Sequence, residues 1–129
     1  MNVDSAIWGP RALSILRIVT GVLFLAHGLV KLFGFPVGAQ PGQVPLGTIF
    51  GVAAVLELVG GALIVLGLFT RPVAFLLSGQ MAIAYFMAHA PQSFYPVLNG
   101  GELAILFCFV MLYFAAAGGG TWSLDARRK

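Results

Sequence analysis

The chain has 129 residues, of which 60% are hydrophobic and only 9% charged, with a mean hydropathy of +0.99. A water-soluble domain carries about 25% charged residues, so this chain cannot cover its own surface in water and lipid must solvate most of it. Its formal charge of +3 comes from seven Lys and Arg that flank apolar runs without forming a basic stripe, which excludes a nucleic-acid binder; the single cysteine, Cys108, excludes an intrachain disulfide or a Cys-x-x-Cys relay.

Residues 1–10 are mildly polar. The apolar run that follows is too long for a removable signal peptide and has no small-residue cleavage site. It is expected to remain as the first span, residues 12–33, ending at the Phe35-Pro36 break. The second span covers 46–69 and closes at Thr70-Arg71-Pro72; the third covers 72–90 and stops at Pro91. The fourth, 100–117, runs into Gly118-Gly119-Gly120 and leaves a tail, 118–129. Each is close to the ~20 residues that cross a bilayer, the fourth being shortest. Proline and glycine supply every stop, because proline breaks the backbone ladder and glycine caps readily. Pro72 suits the first turn of a helix, where its missing N–H is no loss. The expected fold is all-α, a single-domain integral membrane four-helix bundle over residues 1–129.

Lys and Arg in short loops set orientation. Arg11, Arg71 and Arg127-Arg128-Lys129 fall on one side of four spans, and the loops 34–45 and 91–99 contain neither residue. Both termini, tail included, are therefore expected in the cytoplasm of a bacterial or archaeal cell, with the protein multi-pass in its inner membrane. Phe35, Phe94 and Tyr95 in the outer loops read as interfacial anchors, or as a lid over a lipophilic site.

Seven ionisable or strongly polar residues lie within or at the rims of the spans: Arg17, His27, Lys31, Glu57, Gln80, His89 and Glu102. A charge in hydrocarbon costs at least ~2.5 kcal/mol, so such side chains face a bundle interior and pair there. Arg17, Thr20, Phe24, His27 and Lys31 share one helical stripe, the inward face of span one, with Leu16, Val19, Val22, Leu23 and Val30 left for lipid or neighbours. Helix rise puts Glu57 near mid-membrane, with Arg17 and Gln80 within reach. A deep Arg17–Glu57–Gln80 cluster is expected, the guanidinium forking onto the carboxylate. A second group lies outward, with a Lys31–Glu102 or His89–Glu102 pair and His27 between the two levels. The same residues have plainer uses. Arg17–Glu57 would fix helix register, Glu102 would complement a helix dipole behind an Asn99 N-cap, and Lys31 would snorkel to headgroups. His27 suits proton transfer near neutral pH. His27 and His89 sit at different depths on different spans, which disfavours bis-His haem, and a metal site with Glu102 is disfavoured equally. The glycines, among them Gly21, Gly28, Gly47, Gly51, Gly60 and Gly61, form small-residue faces for the bundle or for a homodimer.

These pieces, in order, resemble the DoxX family of small four-span membrane proteins. They are Arg17-x-x-x-Gly21 with His27-Gly28-x-x-Lys31-Leu32, and Glu57-Leu58-x-Gly60-Gly61 with Leu66-Gly67-Leu68-x-Thr70-Arg71. Met81, His89, Asn99-Gly100-Gly101-Glu102 and Gly118-Gly119-Gly120-x-x-Ser123-Leu124-Asp125 complete the set. The resemblance implies an inner-membrane bundle that belongs to an oxidoreductase system or membrane redox complex. The expected function is a quinone-interacting component, a subunit more than a self-sufficient enzyme. His27, Glu57 and Glu102 would move protons, and Arg17, Lys31, Gln80 and His89 would hold the ring. With no electron-carrying motif in the chain, electrons would come from the quinone or from a soluble or membrane redox partner. The rivals are a scaffold that docks such a partner through residues 125–129, and a small transporter lined by the polar stripe.

Overall fold

The computed structural model describes residues 3–128; Met1, Asn2 and Lys129, the last of the tail's basic run, lie outside it. Every regular element among the described residues is helical. Helix α1 spans Val3–Phe33 and so starts well before residue 12. Asp4 in its first turn complements the helix dipole. Pro10 is accommodated inside the helix, and its carbonyl accepts the N–H of Thr121 from the tail at 3.4 Å.

Helix α2 spans Ile49–Leu66 and α3 spans Thr70–Ala84. The break between them falls at residues 67–69, a few residues before the predicted one. Gly67 is left-handed (φ 68°) and its N–H reaches the Ile64 carbonyl, while Leu68 N–H reaches Leu63. This double closure satisfies the last carbonyls of α2 and ends it before Thr70. Phe69, also left-handed at φ 53°, turns the chain, and Pro72 sits in the first turn of α3 as expected. Helix α3 runs on through a π turn, Tyr85–His89, and a 3₁₀ turn, Ala90–Gln92. The short α4, Pro96–Asn99, leads to α5, Glu102–Ala117, and the tail forms α6, Leu124–Arg127.

Among the described residues three stretches are long and apolar enough to cross a membrane: α1, α2 and the continuous Thr70–Gln92. Helix α5 is shorter, 16 residues or ~24 Å. Helix α1 lies along α2, and α3 along α5. The first pair approaches closely because glycine lets it: a β-carbon at Gly28 would sit 2.6 Å from the Leu58 nitrogen. The small-residue face of α1 is thus used inside the chain. Phe24, Ile64, Leu77, Phe107, Met111 and Phe114 join all four long helices in one core, where Phe24 meets Phe107 edge-to-face at 5.2 Å. Leu16, Val19, Val22 and Leu23 point outward and Arg17, Thr20 and Phe24 inward, as the stripe predicts, with Val30 buried against neighbours. The loop after α1 folds back so that Val44 N–H and Gln43 Nε2 serve the Lys31 and Leu32 carbonyls. Phe35, Phe94 and Tyr95 stand exposed.

Candidate functional site

Glu57 is 1% exposed at the middle of α2 and meets polar groups from two other helices. Lys31 Nζ donates to both carboxylate oxygens, at 2.6 and 2.9 Å, and Gln80 Nε2 donates to one at 2.8 Å. Lys31–Glu57 is the ion pair found among the described residues. His27, one turn before Lys31, is half-buried with its ring edge-to-face against Phe107 at 5.9 Å, where the charges of Glu57 and Lys31 both act on it. Among the described residues no hydrogen bond reaches either His27 nitrogen. Gln80 Oε1 is buried and has no donor.

The expected Glu57–Gln80 contact is therefore present, but its cation is Lys31, not Arg17. Side chains on a helix lean toward its N-terminus. From the far end of α1, Lys31 leans back toward mid-bundle, and Glu57, on the antiparallel α2, leans to meet it. Arg17 leans away from Glu57.

Arg17 instead holds the tail. Its Nε donates to the Ile64 carbonyl at 2.8 Å, Nη1 to Gly119, and Nη2 to Trp122 at 2.8 Å and Val65 at 3.4 Å. It is 1% exposed and caps the negative C-terminus of α2. Ser14 Oγ donates to the Gly119 carbonyl and accepts from Trp122 N–H. Asp125 closes the other end of the turn: its two oxygens accept Phe69 N–H at 2.8 Å and Thr70 N–H at 2.9 Å, the free donors opening α3. Burial pushes the Asp125 carboxyl up, but these bonds, the neighbouring Thr70 hydroxyl and Arg128 outweigh it and hold it below the ordinary carboxylate value. The tail is part of the fold, so its Asp125 is not free for docking.

The outer pair is not formed. Glu102 is exposed in the first turn of α5, out of ion-pair reach of Lys31 and His89, and is left with the dipole role. His89 Nδ1 lies 3.0 Å from the Asn99 carbonyl and stacks on Tyr85 at the π turn. Asn99 does not cap α5; its amide bridges Tyr85 Oη, the Ser93 carbonyl and Gly101 N–H. Sequence reasoning overlooked Ser14 and Tyr85 and gave Asp125 only a motif and a docking role, because their partners lie far along the chain; Asn99-Gly100-Gly101 was the local signal for the Asn99 hub. Among the described residues no three His, Cys, Asp or Glu side chains cluster as metal ligands.

The model of the DoxX family matches residues 12–90, a span that holds Arg17, Lys31, Glu57 and Gln80. A Haemophilus influenzae protein described as uncharacterized is 44% identical over 120 residues, covering 90% of each chain. An uncharacterized membrane protein of Mycobacterium tuberculosis is 27% identical, covering 92% of this chain and 82% of its own. A Bacillus subtilis protein named "Putative oxidoreductase CatD" is 30% identical over 86% of this chain and 82% of its own. No solved structure matches the chain at a significant level. With the family's pattern matched over most of three helices and a relative aligned along nine-tenths of both chains, this membrane protein belongs to the DoxX family.

Proposed function

We propose that this protein is a four-span component of a redox system in the bacterial inner membrane, with both termini cytoplasmic, and that the Lys31–Glu57–Gln80 site with His27 handles a quinone. One observation carries the reading: a buried carboxylate lies beside unsatisfied hydrogen-bonding groups of both kinds. Among the described residues Gln80 Oε1 lacks a donor and neither His27 nitrogen has a hydrogen-bond partner. A quinone and its reduced form present carbonyl acceptors and hydroxyl donors respectively, and when bound would supply paired electron and proton transfer. Lys31 and His27 would donate to the carbonyl, Gln80 Oε1 would accept from the hydroxyl, and Glu57 would exchange a proton. Phe107 offers its ring as an apolar wall. Electrons would come from a partner enzyme, consistent with the oxidoreductase name of the Bacillus relative. Arg17, Glu102 and His89, engaged or placed elsewhere, have no part in this site.

The test is mass spectrometry of the organic extract from protein purified in mild detergent. Wild type is expected to retain a quinone that His27→Ala and Glu57→Gln both lose. Bulk phospholipid alone in all three overturns the reading. It would favour a scaffold in which Lys31–Glu57–Gln80 only locks α1, α2 and α3 in register, a use its closed geometry also fits.

A further inference from the structure

We propose that the groove between α1, α2 and the tail binds the headgroup of an anionic phospholipid. The groove has a volume of about 530 Å³; Ile18, Val65 and Leu66 form its apolar wall, Arg17 its floor, and Trp122 and Arg127 its mouth. Beside it Arg11 is held between two indoles, 4.9 Å from the Trp8 ring and 5.7 Å from that of Trp122. Both rings are about half exposed, at the level where aromatic side chains and arginines meet headgroups.

Charge selects the occupant. Arg17 is buried, and carbonyl dipoles hold it with no carboxylate in ion-pair distance. Arg11 and Arg127 have no carboxylate partner among the described residues either. The nearby acid, Asp125, has both oxygens on the N–H groups of Phe69 and Thr70 and acts on Arg17 only from beyond ion-pair distance. Three cations thus lie in or beside one groove with no carboxylate in ion-pair distance among the described residues, and a buried charge that is incompletely compensated is expensive. A phosphate at the mouth would offset them while acyl chains lie along Ile18, Val65 and Leu66. A zwitterionic headgroup brings its own cation and would offset them less. The site is independent of the Glu57 cluster, and does not rest on the quinone reading.

Trp8 and Trp122 are the chain's two tryptophans and both report on this groove. Full-length protein is reconstituted in phosphatidylcholine vesicles with rising fractions of brominated phosphatidylglycerol, and in the reverse mixture. Tryptophan quenching is expected at about fivefold lower fraction of the brominated anionic lipid, the weight of one arginine near a charged surface. Arg127→Gln and, separately, Arg11→Gln are expected to draw the two curves together with helical circular dichroism unchanged. Equal quenching by both lipids in wild type overturns the proposal, as does a preference that survives both substitutions.

Discussion

Arg17 and Asp125 share one arrangement at opposite ends of a three-residue turn: a cation on the carbonyls that close α2, an anion on the amides that open α3. Each satisfies backbone groups that a helix end cannot satisfy itself. Arg17→Met would leave the Trp122 carbonyl without its donor and take one donor each from the Ile64 and Gly119 carbonyls, and is expected to destabilise the protein by roughly 3 kcal/mol, read as a lower unfolding temperature in detergent. Arg17→Lys keeps the charge but lacks the planar fork and should recover only part of that loss. Asp125 gives a pH signature. Its carboxyl is depressed in the folded protein, so its contribution is full above the unfolded value of about 3.9 and is lost as pH falls from there through the folded value. Wild type should lose stability over that acid window, whereas Asp125→Asn should be weaker at neutral pH and lack this component of the acid loss.

Among the elements, α1 and α2 show how lipid-embedded helices pair through absence of side chain. A β-carbon at Gly28 would strike backbone, at Leu58 N and the Ala54 carbonyl, which cannot rotate away. Gly28→Val is therefore expected to force the helices apart, at about 1–3 kcal/mol. Because Lys31 lies one turn further along, the same change should weaken the Lys31–Glu57 pair and any retained quinone together. The glycine stripe was visible in the sequence, but its partner was not, since a small-residue face serves a neighbour in the same chain or in another equally well. The π turn at Tyr85–His89 had no sequence counterpart. The Tyr85 ring packs where a side chain on Gly101 would stand, and its hydroxyl receives the Asn99 amide, so these two contacts of the turn come from residues sixteen and fourteen positions away.

At the scale of the molecule, the polar groups separate into two levels. Lys31, Glu57, Gln80 and His27 form the inner one; Arg17, Ser14, Ser123 and Asp125 bind the tail across the middle of α1 and the facing ends of α2 and α3. Deleting everything after Ala117 should consequently lower the unfolding temperature at least as much as Arg17→Met, because it removes Asp125 and leaves Arg17 without two of its acceptors. A truncated protein of undiminished stability would show that the tail is an appendage.

Composition and the spacing of apolar runs alone determined that this is a helical membrane protein, which face of α1 turns inward, and that Glu57 lies at depth beside Gln80. These follow from hydropathy and helical periodicity, which are local properties of the chain. Which cation reaches Glu57, what holds Arg17, and that the tail belongs to the fold were decided only by tertiary structure. Lys31 and Arg17 sit on the same stripe with similar reach, and their partners depend on the lean of each side chain and on carbonyls and amides some fifty to a hundred residues away. Backbone acceptors carry no residue identity, so no pattern of side chains announces them.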